Sequence, residues 1–445
     1  MATYIINGQE YECEYSLKDH SGSEKASFTN DAIKALDIQE SMLNPFTRAT
    51  IVIQNPFDYA DNFMHTRGDG RDYFEIKLKH KDFDEELKYE FVIEGENNSI
   101  SRGDRANNFK CYNLIDKNYF LLNESIPYGR RYRGKVGAII KEIITEVIGE
   151  GVVGEWDDGD HEIGFYPEHL IPTTGYRWSD LIKYLCRVNY KKNKDVHERL
   201  YLMWNREEDK YNLQPLSKIF AKHTDLRIEG FGIGDLVGTG ASSNPNNPIP
   251  EGKVDKGSGG MPQTDVNTPM LQYQNEYWQN ALISGYDATL GVHQFRQLRV
   301  ADMKKTWEEL FVKVFTLKAG SPKPFLPLNK TKQEGVFKTF ALPYTIDQQQ
   351  GIVEAEMMAN FTFYNLTLNF SILGNPRRMA GQFIDVFTLD PEDPVLSQEK
   401  VLGRWFVTKC RHKFTFDSYY NTFQCVKTYI GPGGDLGSDC VEWQG

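Results

Sequence analysis

The sequence predicts an α+β chain that is mainly β: two similar antiparallel β-barrel domains, a mixed α/β domain and an inserted domain. Three observations carry this expectation. Segments near both ends alternate apolar and polar residues, as half-buried strands do. Around Val136 the apolar spacing changes to threes and fours, as on one face of a helix. The two end segments also match each other in strand order and spacing. At 445 residues the chain exceeds one ordinary core, and about three or four domains are expected.

The first barrel is assigned to residues 1–125. Thr50-Ile51-Val52-Ile53 reads as a short buried strand, and Tyr73 to Lys79 alternates apolar and polar residues. Tyr89 to Ile93 is a further strand, Glu96-Asn97-Asn98 a polar break, and Asn108 to Leu114 alternates again. An aromatic content of 13% favours such half-buried pleated surfaces.

Residues 126–215 form the mixed α/β domain. Val136, Ile139, Ile140, Ile143, Ile144, Val147 and Ile148 make one helical stripe, with Gly149 and Gly151 as stop signals. Trp178-Ser179-Asp180 opens a second helix, with Ser179 as the expected cap and Leu181, Ile182 and Leu185 as its buried face. Leu200 to Trp204 and Lys210 to Leu213 read as a hairpin.

The inserted domain is assigned to 241–361, with a Gly/Pro/Asn-rich loop at 238–270. Gly238 to Pro269 has too few apolar residues to offset ordering entropy and reads as a long loop or linker. Gln348 to Phe361 is expected to be helical, with Val353, Met357 and Phe361 on one stripe. Segments 216–240 and 362–431 make the second barrel, and 432–445 is a tail.

The match between the ends aligns Tyr73 to Leu78 with Phe383 to Leu389, and Phe91-Val92-Ile93 with Trp405-Phe406-Val407. It then aligns Asn108 to Ile115 with Thr422 to Ile430, so that Cys111 meets Cys425. Any two half-buried strands alternate, but shared order and spacing favour an internal duplication.

Charge and cysteines narrow the function classes. A net charge of -11 argues against a chain that grips nucleic acid, because phosphate neutralisation needs a basic balance. Cys13, Cys111, Cys186, Cys410, Cys425 and Cys440 are far apart and form no Cys-x-x-Cys pair, so reduced, mostly buried thiols are expected. The opening Met-Ala-Thr-Tyr-Ile-Ile-Asn-Gly lacks a signal-peptide pattern, and no apolar run nears the ~20 residues that span a bilayer. Assembly in a cytoplasm, without a stable membrane segment, is expected.

Motifs for chemistry are weak. Gly230-Phe231-Gly232-Ile233-Gly234 has a Gly-x-Gly pattern but no strand-to-helix setting, and reads as a flexible turn. Glu155, Asp157, Asp158, Asp160, His161 and Glu162 offer hard oxygen ligands, but the spacing is not that of a calcium loop, and a solvated charged face is the better reading. His161 and His169 lack zinc-site spacing with a third ligand. Tyr128-Gly129-Arg130-Arg131-Tyr132-Arg133-Gly134-Lys135 pairs Arg with Tyr, as interfaces and nucleic-acid grooves do; a domain or subunit contact is favoured, and the same holds for Arg377 and Arg378. No Gly-x-Ser-x-Gly elbow or His-Glu-x-x-His helix is present. No catalytic, cofactor or metal residue is assigned.

In the same order through most of the chain, the sequence resembles the central baseplate hub subunit of T-even-type contractile-tailed phages. Ile38 to Leu43 and Arg48 to Ile53 resemble that family's opening strands. Pro172-Thr173-Thr174, Trp178 to Leu185 and Tyr201-Leu202-Met203-Trp204 resemble its middle domain. Gly381 to Phe387 and Trp405 to Thr408 resemble its second barrel. The resemblance implies a homotrimer that is not an enzyme and carries no cofactor. Its barrels continue the hexameric tail tube, its other domains hold the trimeric central spike, and DNA passes through without specific binding. Tail tube protein, spike and other baseplate proteins are the implied partners, and the virion tail is the implied location. Hub portions of type VI secretion spikes share the barrel plan, so a secretion-system hub is one alternative. A tail-associated peptidoglycan or polysaccharide hydrolase is the other.

Overall fold

The computed structural model describes residues 2–6, 9–19, 21–54, 72–81, 86–99, 109–124, 131–164, 171–172, 177–221, 229–232, 265–267, 280–287, 291–307, 309–310, 323–324, 338–340, 342–363, 366–387, 403–415 and 418–430. The N-terminal strands are β1 (Ala2–Ile6), β2 (Gln9–Lys18), β3 (Glu24–Phe28), β4 (Ile33–Ser41), β5 (Asn44–Gln54), β6 (Tyr73–His80), β7 (Glu86–Ser99) and β8 (Phe109–Asp116). The middle of the chain carries β9 (Arg131–Tyr132), β10 (Gly134–Lys135), β11 (Val153–Trp156), β12 (Glu162–Ile163), β13 (Ile171–Pro172), β14 (Tyr190–Asn193), β15 (Val196–Asn205) and β16 (Lys210–Pro215). Then come β17 (Glu229–Gly232), β18 (Asp265–Asn267), β19 (Asn280–Asp287), β20 (Val292–Arg299), β21 (Lys323–Pro324) and β22 (Lys338–Phe340). The last strands are β23 (Leu366–Leu373), β24 (Phe383–Phe387), β25 (Gly403–Thr415), β26 (Tyr419–Lys427) and β27 (Tyr429–Ile430).

The protein is mainly β, as the alternating segments predict. Among the described residues its largest sheet has 14 strands, in the order β1-β2-β6-β7-β8-β5-β4-β25-β26-β23-β18, with β3 on β2 and β24 between β17 and β25. Alternation puts Leu36 and Ile38, Ile51 and Ile53, Ile76 and Leu78 into one core. A second core gathers Leu366, Leu368 and Phe370 with Phe383, Trp405, Phe406 and Phe423. Each such side chain contributes about 1.5–3 kcal/mol by leaving water.

Within the sheet one strand order occurs twice. Strands β5 to β8 lie as β6-β7-β8-β5, and β23 to β26 as β24-β25-β26-β23. Three hairpin-linked strands thus lie side by side, with the first strand of the four beside the last, as in a Greek key. The registers agree. Tyr73 faces Val92 and Phe74 faces Phe91 in one; Phe383 faces Phe406 and Ile384 faces Trp405 in the other. Both third strands carry a bulge at the same place, between Ile93 and Gly95 and between Val407 and Lys409. A bulge adds one unpaired residue and bends the strand, so its recurrence is a specific coincidence of backbone design.

The fourth strands correct the sequence alignment by three residues. Ile93 faces Leu114 and Val407 faces Cys425, so Leu114, not Cys111, corresponds to Cys425. Cys111 faces Asn97 instead. The polar run Glu96-Asn97-Asn98 is not a break but the continuation of β7 past its bulge. Asp265–Asn267 of the expected linker is a strand paired with β23, and 238–264 and 268–269 lie outside the described residues.

Between the repeats, β11-β16-β15-β14 form a mixed sheet covered by helices Val136–Val147 and Trp178–Val188. Val136, Ile139, Ile140, Ile143 and Ile144 are buried as the stripe predicts, and the chain leaves this helix at Gly149, whose φ of 134° only glycine adopts freely. Ser179 is not the cap expected of it. Arg177 stands at the cap position, and buried Ser179 donates to Asn123 Oδ1 from the first turn. Helix Ile346–Phe363 has no single stripe: Val353 and Met357 join the second repeat's core, while Ile352 and Ala355 join that of the middle domain. A helix set between two cores is apolar on more than one side. The Phe361 side chain lies outside the described residues.

Candidate functional site

The two repeats are joined edge to edge. Strand β4 of the first pairs antiparallel with β25 of the second, from Ala35 opposite Thr415 to Ser41 opposite Lys409. Met42 N donates to Thr408 O at 3.0 Å just past that ladder. Phe414 and Tyr419 of the second repeat stack at 3.9 Å and enter the core of the first, and Tyr11 OH donates to Gly374 O at 3.2 Å.

Charged groups are sealed into this seam. Glu40 follows Leu36 and Ile38 on the inward face of β4, and His412 stands between Cys410 and Phe414 on the inward face of β25. Arg206, at the turn after β15, reaches them from the middle domain. It donates to Glu40 Oε1 at 2.7 Å, to Tyr89 OH at 3.0 Å and to Pro376 O, and Tyr89 OH also donates to Glu40. Three parts of the chain are thereby tied by one buried ion pair, which is strongly unfavourable to break from one side only.

The His412 tautomer follows from its partners. Asn421 Oδ1 accepts from Asn375 N at 2.6 Å and Arg378 Nη1 at 3.1 Å, so Asn421 Nδ2 is the donor to His412 Nδ1 at 2.9 Å. Nδ1 therefore carries no proton, and Tyr419 OH, 2.8 Å away, donates to it as well. Burial, then Arg206 and Arg378, hold the imidazole well below its usual value, so it stays neutral.

Among the described residues, Glu40, Cys410 and His412 bring one possible ligand atom each to within 4.8 Å of one another. This donor set does not fit a cation. Burial, then Glu40, push the Cys410 thiol well up, so it keeps its proton. Glu40 Oε1 already holds the Arg206 guanidinium, and a second guanidinium, that of Arg378, stands behind His412. The chemistry here is cohesion between units. A shallow pocket beside it is lined by Met42, Thr47, Met203, Trp204, Met379 and Ala380, among others.

The residues singled out in the sequence lie elsewhere, apart from Arg378 and Cys410. Asp157 and Asp160 flank Lys191 Nζ at 3.2 and 3.7 Å, and Glu155 pairs with Lys218 at 3.2 Å, so these three carboxylates face lysines rather than a shared cation site. Buried His161 contacts Val188 O through Nδ1 at 2.8 Å. Gly230 and Gly232 form no turn but lie on β17, parallel to β24; Gly234 and His169 are outside the described residues. Arg131–Tyr132 pairs with β13 and Gly134–Lys135 with β12, with Tyr132 buried and Arg131 exposed; 128–130 are not described. Arg378 proves to be an internal tie of the seam. The described cysteines are free thiols, Cys13, Cys410 and Cys425 buried. Glu40 and His412 escaped the sequence reading, although a charged or imidazole side chain at an inward position of an alternating strand was a legible signal. No described helix is long and apolar enough to cross a membrane.

No protein-family model and no curated protein matches this sequence. Solved structures resemble it in fold. A tail protein from Neisseria meningitidis MC58 aligns over 94% of this chain and 96% of its own, at 10% identity and a TM-score of 0.53. The 43 kDa tail protein of prophage MuSo2 from Shewanella oneidensis aligns over 94% and 98%, at 10% identity and a TM-score of 0.53. A chain of the Francisella PdpA-VgrG complex aligns over 95% of this chain but 53% of its own, at 9% identity and a TM-score of 0.51. From end to end, this chain has the fold of phage tail proteins, the kind of protein its sequence resembles.

Proposed function

We propose that the chain is a structural, non-enzymatic baseplate hub subunit of a contractile phage tail. Three copies form a pseudo-sixfold adaptor between a hexameric tail tube and a trimeric central spike. Each copy supplies two tube-type barrels, from residues 1–125 and from 216–240 with 362–431. The middle and inserted domains meet the spike and other baseplate proteins. DNA passes along the axis without specific binding, which suits a net charge of -11. The subunit assembles in the host cytoplasm and resides in the virion tail.

The recurrence of one Greek key with one bulge, twice in a chain and joined edge to edge, carries this reading. A unit that repeats by rotation and is then tripled matches threefold symmetry on one side to sixfold on the other. The likeness to a chain of the Francisella PdpA-VgrG complex supports a second reading, a hub of a secretion-system spike. Native mass measurement on the purified full chain tests the shared element. The expected species is three times the 51.2 kDa chain. A chain that remains monomeric at high concentration, and in the presence of the tube and spike proteins encoded beside it, refutes both readings.

A further inference from the structure

The strands that join the repeats inside one chain each have a counterpart in the other repeat. Val266 pairs with Leu368, and Leu368 with Cys425; Ile38 pairs with Ala49, and Ala49 with Leu114. Since Leu114 corresponds to Cys425, Val266 corresponds to Ile38, and β18 is the second repeat's version of β4. Ile38 pairs with His412, three residues past Lys409 at the bulge of β25. The residue three past Gly95 at the matching bulge of β7 is Asn98.

Among the described residues, this part of β7 has one edge without a partner strand. Strand β6 covers β7 only up to Val92, and among the described residues no strand pairs with that edge beyond it. Among the same residues, β18 pairs on one side only, with β23. Six strands (β8, β5, β4, β25, β26 and β23) separate the two edges within a chain. Unpaired strand edges are templates for a further strand.

We infer that β18 of one copy pairs antiparallel with β7 of a second copy, with Asp265 opposite Ser99, Val266 opposite Asn98 and Asn267 opposite Asn97. This inference rests on the oligomeric hub reading and names the edges that close its ring. The contact is heterologous, and it closes into a ring where its rotation returns to the first copy after three steps, as the trimeric reading requires. By strand position Asp265 corresponds to Asp37, and Asn97 to the Arg411 that pairs with Asp37 across the internal seam.

Directly opposed residues of an antiparallel pair have Cα atoms about 4.5–5.5 Å apart, within disulfide reach. The test is the full-length chain carrying Asn98→Cys with Val266→Cys, oxidised with diamide after its native mass is measured. Covalent dimers and trimers on non-reducing denaturing gels, lost on reduction and absent from each single variant, are expected. A native trimer in which the pair gives no cross-link, or only a bond within one chain, overturns the inference and leaves the hub reading standing. A shifted pair, Asn98→Cys with Asn267→Cys, that cross-links more readily overturns the register. A chain that is monomeric throughout overturns inference and hub reading together.

Discussion

Asp116 and Lys427 occupy the same position of the two strand repeats, and both are buried, one an acid and the other a base. Each follows a residue paired across the third strand, Ile115 with Val92 and Val426 with Phe406. Asp116 faces Phe91, and its Oδ1 accepts from Tyr119 N at 3.0 Å, capping helix Lys117–Glu124. The Lys427 ammonium lies 4.8 Å over the ring of Trp405, the residue that corresponds to Phe91. One backbone slot thus starts a helix in one repeat and holds an amine against an indole in the other.

Burial depresses the Lys427 amine to about 7. Between that value and the ordinary one near 10.4, the unfolded chain binds more protons than the folded one, so stability rises with pH. Lys427→Met is expected to raise the unfolding free energy read from urea denaturation at pH 7, by a few kcal/mol in order of magnitude, and to flatten the rise between pH 7 and 10. An unaltered slope would contradict the burial of this amine.

Asp116 shifts the other way: burial raises its carboxyl to about 7 despite the backbone donors of Tyr119 and Asn118. A raised acid holds its proton in the folded state, so its contribution is lost as pH climbs from about 4 through 7. Asn caps as well as Asp does. Asp116→Asn should keep the helix, seen in circular dichroism, and make stability less dependent on pH across that window.

His412 is neutral in the fold because burial and two guanidiniums depress it. The unfolded chain takes up a proton below about 6.5, so stability falls as pH drops through that value. His412→Gln should lower the melting temperature at pH 7 and reduce the acid sensitivity between pH 6.5 and 5, as read by scanning calorimetry at both ends of the range.

Removing one end of the Arg206–Glu40 pair strands a buried charge. Arg206→Met or Glu40→Gln alone should each cost roughly 3–5 kcal/mol, and the double variant less than the sum. Additive losses in chemical denaturation would mean that the two side chains do not act as a pair.

Ile143 is fully buried between the helices of the middle domain. Ile143→Asp puts a carboxylate there without a partner and should cost several kcal/mol, unfolding that domain first. Limited proteolysis between residues 131 and 215 would report it; a cleavage pattern like the native one would place the helix face elsewhere.

The alternating strands and the helix face were legible because both patterns are local. A period of two or of three-and-four depends on the pleat or the turn, not on which element lies opposite. Hence Ile76 and Leu78, or Ile139 and Ile143, could be assigned inward before any neighbour was known. Helix Ile346–Phe363 was legible as a helix but not as a bridge, since its second apolar side answers to a core nearly two hundred residues earlier. Gly230 and Gly232 looked like a turn because glycine permits one, and only the adjacent β24 makes them a strand.

The sequence by itself determined the period of each segment, the duplication of one strand series, and thereby a mainly β chain with the look of a phage tail protein. Tertiary structure alone decided the register, correcting Cys111 to Leu114 opposite Ile93, and decided that β4 meets β25, with Arg206 closing over Glu40 from 166 positions away. The reason is physical. Alternation is written along a strand, but the choice of partner edge depends on bulges and packing that bring distant segments together, and neither leaves a periodic mark in the chain.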